Sequence, residues 1–350
     1  MTTVGVERPA FLAWLDANRP ELGDGPLHSV RLKGGSSMTI LKLTRGAESA
    51  VLRFPSIPPR ADSAKALARE GRLLGAIGGS AIPHAQLHAY VTDAEVLGAP
   101  FLLMEYIDGW TNWGEDRKPP PPYDQPGPHF RDLAFAMIDG IASIRTVDYK
   151  AAGLEDFGNP DGFLMRQVPR YLKLIESYKQ TENHPGREIP GMAYVTDWLQ
   201  ANTPPMSATT IIHGDIGYPN MMLTRSVPSK VAAVIDWEVA TIGDPLLDLA
   251  RAIFGFAGRK VTNTRGDAVI DPFAPTREDM AEYYAEKTGA DVSTLDYYVV
   301  LSVFRLCALI EWNYARHVNG RDASGLAKWI SGLILELMAF AEDVARAAKL

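Results

Sequence analysis

The chain is expected to fold as an α+β protein in two lobes, a small antiparallel-sheet lobe over residues 1–107 and a larger, mainly helical lobe over residues 108–350. Three observations predict this. Strand-like runs concentrate before residue 107, helical periodicity dominates after residue 130, and a proline-rich stretch separates the two. A length of 350 residues suits one large domain or two lobes.

Taken in order, residues 8–17 read as a short amphipathic helix. Ile40–Leu43 and Ser49–Arg53 read as two strands joined by the turn Arg45-Gly46-Ala47. Residues 62–77 carry Ala66, Leu67, Leu73, Leu74 and Ile77 near helical spacing, which predicts a helix. Pro100–Tyr106 is a short apolar strand that runs out at Asp108-Gly109. Residues 110–129 hold six prolines and no apolar periodicity, which predicts a surface connector. Helices are then expected over 130–146, 161–179, 191–200, 275–288, 294–318 and 324–348. The exception is 211–236, where strands Met221–Leu223 and Val231–Ile235 flank a turn containing Pro228.

Composition narrows the function classes. Apolar residues at 46% and charged residues at 22% are ordinary globular values. The net charge of -7 and the lack of a Lys/Arg-rich run argue against a nucleic-acid or anionic-membrane partner. No run of about 18 apolar residues occurs, so no transmembrane helix is expected, and the N-terminus lacks the pattern of a secretory leader. A cytoplasmic location is the default expectation. Cys307, the single cysteine, lies in an apolar run and reads as a core residue. His84 and His88, four apart, read as exposed histidines rather than half a zinc site. Trp312, Tyr314 and Trp329 read as core. Neither a G-x-x-x-x-G-K-[ST] loop nor a G-x-S-x-G elbow is present.

The chemistry concentrates around His213-Gly214-Asp215 and Asn220, which precede the expected hairpin, and Asp236-Trp237-Glu238, which follows it. A hairpin returns the chain to its starting point, so Asp215, Asn220 and Asp236 are expected to converge. Phosphoryl transfer needs such a set. A carboxylate orients the attacking hydroxyl, and hard oxygen donors hold Mg²⁺ against the phosphates.

These residues resemble the aminoglycoside phosphotransferase and choline kinase family, relatives of the protein kinases. His213-Gly214-Asp215 through Asn220 matches the family's catalytic loop, Ile235–Glu238 its metal motif, and Gly243–Ala250 the segment that follows. Val147–Tyr149, Gly153–Gly158 and Arg166–Val168 resemble more particularly the kinase-like domains fused to acyl-CoA dehydrogenases. The resemblance implies a bilobal protein-kinase-like fold and transfer of the ATP γ-phosphate to a small-molecule hydroxyl, with Mg²⁺ as cofactor. Hinge contacts run through backbone, so GTP is not excluded as donor. By match, Asp215 is the catalytic base, Asn220 and Asp236 hold Mg²⁺, and Asp248 supports the catalytic loop.

Nucleotide contacts are expected from the other lobe. Gly34, Gly35, Ser36 and Ser37 lie before a strand and suit a phosphate loop, with a plain turn as the alternative. Arg53 stands where protein kinases carry a lysine and pairs by match with Glu70, a surface ion pair being the alternative. Glu105 through Ile107 match the hinge. Glu238 fits a surface acid, a second metal contact or a substrate contact equally well.

For the acceptor, residues 251–350 hold 13 Asp/Glu and 12 Lys/Arg, a balance that gives no support to a polycation. Arg305, Leu309, Trp312 and Arg316 share one face of the expected helix 294–318. If that face lines the site, an acceptor with an apolar body and a carboxylate or acyl group suits it. If it packs inward, its arginines pair with acids such as Glu311. Two other functions stay open: a non-catalytic nucleotide-binding module, and a protein kinase. The short interval between Asp236 and Gly243-Asp244-Pro245 disfavours the second.

Overall fold

The computed structural model describes residues 5–32, 38–56, 62–111, 119–125, 127–180, 186–256, 260–262, 268–270, 273–321 and 325–349. The chain divides into two compact units, Met1–Glu155 with Gly217–Ala240, and Asp156–Ile216 with Thr241–Leu350.

The first unit is built on a sheet. Helix α1 (Pro9–Asn18) starts on a proline, whose missing N–H would be unpaired in the first turn anyway, and buries Phe11 and Leu15. Strands β1 (His28–Arg31), β2 (Met38–Arg45) and β3 (Glu48–Pro55) run antiparallel. The β2–β3 turn is Gly46-Ala47, and Gly46 takes the left-handed φ of +61° that such a turn demands. Helix α2 (Ser63–Ile77), strand β4 (Leu87–Val91), the single turn α3 (Ala94–Leu97) and strand β5 (Phe101–Glu105) complete a five-stranded sheet in the order β1-β2-β3-β5-β4.

Period-two alternation sends the strands' side chains to two faces. Leu41, Leu43, Ala50, Leu52, Phe54, Phe101 and Leu103 gather with Phe11 and Leu15 of α1 into one core cluster. Leu102, between two of these, meets α2 instead. Gly71 of α2 lets the helix come close, since a Cβ there would lie 2.8 Å from the Leu102 methyl. Leu67, Leu73, Leu74 and Ile77 are buried with it, each contributing about 2 kcal/mol by burial.

Two expectations are corrected in this unit. His84 is buried rather than exposed, with Nδ1 2.7 Å from the Ile82 carbonyl. In the stretch 110–129, Trp110 and Tyr123 are core residues, not part of a surface connector. Their polar atoms explain the burial: the Trp110 indole donates to Thr224 O at 3.0 Å and the Tyr123 hydroxyl to Ser226 O at 2.8 Å. Helix α4 (His129–Ile144) follows.

The chain then enters the second unit through α5 (Gln167–Lys179), α6 (Met192–Ala201) and β6 (Thr210–Ile212). It returns to the first unit for the hairpin β7 (Met221–Leu223) and β8 (Val231–Val234). It closes in the second unit with β9 (Thr241–Gly243), α7 (Leu246–Phe256), β10 (Lys260–Thr262), β11 (Ala268–Ile270), α8 (Arg277–Thr288), α9 (Leu295–Ile310), α10 (Trp312–Val318) and α11 (Leu326–Ala347). Helix α9 is buried along most of its length, through Tyr297, Tyr298, Val300, Leu301, Phe304 and Cys307 among others. Burial pushes the Cys307 thiol up to about 12, which fits a structural residue rather than a nucleophile.

The helix expected over 294–318 is in fact two, broken at Glu311. The Glu311 carboxylate is buried and takes a two-pronged contact from Arg187, at 2.8 and 2.6 Å. Arg316 lies on α10 beside the Trp312 ring, on a different helix from Arg305. Trp312 and Trp329 are 45% and 63% exposed, against the expectation that both are core. The helix expected from 161 begins at 167, because residues 161–166 form turns held by Arg166 on the Asn159 carbonyl.

Candidate functional site

The hairpin delivers Asn220 and Asp236 to neighbouring places. Met221 pairs with Val234, so the residues just outside the ladder face each other, and Ile235 N–H donates to Asn220 O at 2.9 Å. Trp110 exchanges two backbone bonds with Leu223, at 2.9 and 2.8 Å, which anchors the hairpin's outer strand. Asp236 follows in the left-handed region, φ +68° and ψ +57°, the one non-glycine residue with positive φ among the described residues. That conformation costs about 1–2 kcal/mol and needs support from the contacts around it. The buried Trp237 indole supplies part of it, donating to Val234 O at 3.0 Å.

Arg53 supplies the rest. Its guanidinium lies on β3, 6% exposed, and bridges three acids: Nη1 to Glu70 Oε1 at 2.9 Å, Nη2 to Asp236 Oδ1 at 2.7 Å and Nη2 to Glu238 Oε2 at 3.5 Å. The Arg53–Glu70 pair expected from the sequence is therefore present, and it is buried rather than a surface pair. Burial opposes the guanidinium's charge, but the three carboxylates outweigh it and raise its pKa. Glu70, 2% exposed, is pushed up to about 7 by burial, against the pull of Arg53. Glu238 is thus a third acid on Arg53, a contact outside the three that the sequence left open for it, a surface acid, a second metal contact or a substrate contact.

Glu105 ends β5, its N–H bonded to Gln86 O at 2.9 Å, and Ile107 follows in the irregular stretch after the strand. Gly34, Gly35, Ser36 and Ser37 lie outside the described residues.

Asp215 belongs to the second unit. Strand β6 is wholly buried and pairs with β9, which fixes the chain entering the loop. Gly214 takes φ +84°, a turn that a side chain would strain. Asp248 on α7 then clamps the loop through its backbone: its carboxylate accepts from His213 N at 2.6 Å and Gly214 N at 2.9 Å. Burial raises the Asp248 pKa, and the charge of His213 and the two amides hold it down. Helix α7 is itself capped by Asp244, which accepts from Leu246 N at 3.0 Å, from Ser207 N and Oγ at 2.6 Å each, and from the Tyr298 hydroxyl at 2.7 Å. The result is a fixed loop from which Asp215 projects with its side chain 48% exposed.

Two cations approach that loop. Arg251 Nη2 stands 3.2 Å from Asp215 Oδ1, and Arg305 donates to Gly214 O at 3.4 Å and to the Tyr171 hydroxyl at 3.1 Å. Arg251 lies outside the motifs legible in the sequence, although its spacing of three from Asp248 puts both on one helix face. Arg305, on the face singled out in the sequence, reaches the loop of Gly214, while Arg316 does not share its helix. An open cavity of about 1200 Å³ lies elsewhere in this unit, along α5, α6 and Glu342, and is lined by none of the candidate residues.

The donors suit a hard ion. Among the described residues no group of three His, Cys, Asp or Glu side chains gathers. Asn220 and Asp236 offer an amide oxygen and a carboxylate from adjoining backbone positions, the kind of sparse oxygen set that Mg²⁺ accepts.

A five-stranded antiparallel sheet with a buried cation–glutamate pair, and an aspartate on a clamped loop amid helices, define an α+β fold of the protein-kinase kind. The chain belongs to the phosphotransferase enzyme family, whose model matches residues 28–283. It is similar to a mouse protein, acyl-CoA dehydrogenase family member 10, at 27% identity over 96% of this chain and 31% of that one. The chain thus spans about a third of the length of this curated relative. Among solved structures, a Ralstonia eutropha protein assigned to the aminoglycoside phosphotransferases matches with a TM-score of 0.78 and 28% identity, over 97% of this chain and 98% of that one. The aminoglycoside phosphotransferase APH(4)-Ia, solved with AMP-PNP and hygromycin B, matches in fold at a TM-score of 0.58 and 14% identity, over 96% and 99%. These likenesses support a phosphotransferase of small molecules. Among the described residues no helix is long and apolar enough to cross a membrane.

Proposed function

We propose that the chain transfers the γ-phosphoryl group of ATP to a hydroxyl of a small molecule. In this reading Asp215 accepts a hydrogen bond from the acceptor hydroxyl, orients its oxygen toward phosphorus and takes up its proton. The oxygen–phosphorus bond forms as the bond from the γ-phosphorus to the β,γ-bridging oxygen breaks, and ADP leaves. Asn220 and Asp236 hold Mg²⁺, which when bound neutralises charge on the phosphates. Arg53 and the segment Gly34, Gly35, Ser36 and Ser37 bind phosphate oxygens, Glu70 positions Arg53, and the backbone of Glu105 and Ile107 takes the base. GTP remains an alternative donor because that last contact reads no side chain.

The observation that carries the proposal is the Arg53–Asp236 contact at 2.7 Å, beside Asn220, in a chain whose family model spans both motifs. It supports a cation and a metal-binding acid serving one polyphosphate. The test mixes the protein with Mg-ATP and a panel of alcohols, including hydroxy acids, choline and aminoglycosides, and follows ADP and phosphate-ester formation. Asp215→Asn is expected to lower turnover by about 10²–10⁴, and Asp236→Ala to abolish metal-dependent binding of ATP. Turnover unchanged in either variant overturns the assigned roles. Mg-ATP binding without transfer to any acceptor favours a nucleotide-binding module instead.

A further inference from the structure

The surroundings of Asp215 bear on which acceptor it serves. Asp248 and Arg251 lie one turn apart on α7 and both face the loop. Asp248 already fixes that loop through two backbone amides, so the loop does not need Arg251 to hold its shape. Arg251 reaches past the backbone to the Asp215 carboxylate itself, at 3.2 Å, and the pair is open to solvent, with side chains 24% and 48% exposed. An acceptor that brings its hydroxyl to Asp215 therefore meets a guanidinium on the same carboxylate.

Charge decides what can share that position. An anion on the acceptor can take the guanidinium's donors in the two-pronged geometry that arginine favours, while its hydroxyl takes Asp215. An ammonium group would instead be set beside a like charge. Arg305, on the Gly214 carbonyl and 5.3 Å over the Tyr171 ring, adds a second guanidinium to the same loop. The charge of residues 251–350 is nearly balanced, so no broad charge excess overrides these two guanidinium groups.

Resting on the phosphotransferase reading, we propose that Arg251 is a specificity-determining residue that selects an acceptor carrying an anionic group near its transferable hydroxyl, a hydroxy carboxylate in its simplest form. The competing role is structural: Arg251 merely neutralises Asp215 and touches no acceptor. The two roles diverge in how variants treat charged and neutral acceptors of the same shape.

The test gives the full chain Mg-ATP and a series of straight-chain 3- and 4-hydroxy carboxylates from butanoate to decanoate, the amide of each, ethanolamine and a polycationic aminoglycoside. ADP release and mass spectrometry of the phosphate ester give kcat and KM, and calorimetry gives acceptor binding. The carboxylates are expected to exceed their own amides by about 10- to 100-fold in kcat/KM, the range of one charge-assisted hydrogen bond. Arg251→Gln is expected to erase that ratio, mainly through KM, and Arg251→Lys to restore part of it; melting curves check that both variants fold. Four results overturn the proposal: a ratio that survives Arg251→Gln, an equal loss of kcat on acid and amide, a cationic acceptor preferred over every carboxylate, or no carboxylate either phosphorylated or bound. Asp215→Asn separates this from the broader reading. It should end transfer to all acceptors while carboxylates still bind in calorimetry. Transfer that persists in that variant sinks the role of Asp215, and the charge preference is then read from binding alone.

Discussion

Asp215 and Asp236, the two acids of the motifs, are held in opposite ways. The loop of Asp215 is fixed through its backbone by the buried Asp248 carboxylate, and the Asp215 side chain is left half-exposed beside a partly exposed arginine. Asp236 has a strained backbone, at φ +68°, and is fixed through its side chain by a buried arginine. Each device permits something different. A backbone clamp sets a carboxylate in place without occupying its oxygens, which suits a group that must receive a hydroxyl. A side-chain clamp makes the carboxylate part of a charge network, which suits a group whose role is to balance cations.

The backbone clamp should prove the harder to remove. Asp248→Ala leaves one buried and one partly buried amide without their acceptor and should lower stability by about 3 kcal/mol. Asp248→Asn keeps one acceptor oxygen and should lose roughly half as much, again on the scale of one such bond. Urea unfolding of the two variants measures both values. Equal, small losses would mean that the loop holds its shape without Asp248.

The charge network should show itself through pH. Glu70 is raised from an ordinary carboxyl value to about 7, so the folded chain holds a proton there that the unfolded chain releases near pH 4.5. The folded state binds more protons over that interval, and stability from this group must fall as pH rises from about 4.5 to 7. Glu70→Gln lacks this dependence. The melting temperature of the variant minus that of the parent should therefore climb across the same window, by the equivalent of at most about 3 kcal/mol. A flat difference would mean that Arg53 keeps Glu70 ionised throughout.

Much of this arrangement was legible in the sequence, and particular residues show why. Two apolar runs about the turn Arg45-Gly46-Ala47 marked β2 and β3, and the spacing of Leu67, Leu73, Leu74 and Ile77 marked α2, since each element hides a face in a core. The Arg53–Glu70 pair followed from motif position, with one residue on the central strand and one on the helix packed over it. Where an isolated side chain decided the outcome, periodicity carried no signal. Trp110 and Tyr123 are buried because two distant carbonyls accept from them. The break between α9 and α10 falls at Glu311, which Arg187 grips from 124 positions away. Asp236 bonds to Arg53 across 183 positions, a contact that no local pattern encodes.

A double-mutant cycle measures the side-chain clamp directly. Removing Arg53 and Asp236 singly and together should give a coupling of about 1–2 kcal/mol, since one partner is buried and charge-assisted bonds are worth more than surface pairs. Arg53→Lys should recover only part of it, because an ammonium cannot span Glu70 and Asp236 as the planar fork does.

The smallest effect is expected at the other acid. Arg251 and Asp215 meet at a partly exposed place, at 3.2 Å, so water and salt reach and screen them. The same cycle on Arg251→Gln and Asp215→Asn should return a coupling below about 1 kcal/mol, shrinking further in high salt. A weak pair is what the acceptor-binding role requires, because an incoming carboxylate must take the guanidinium without a large opposing free energy. A coupling as large as that of Arg53 and Asp236, unmoved by salt, would show that Arg251 is a fixed partner of Asp215, and the two acids would then be held by one device rather than two.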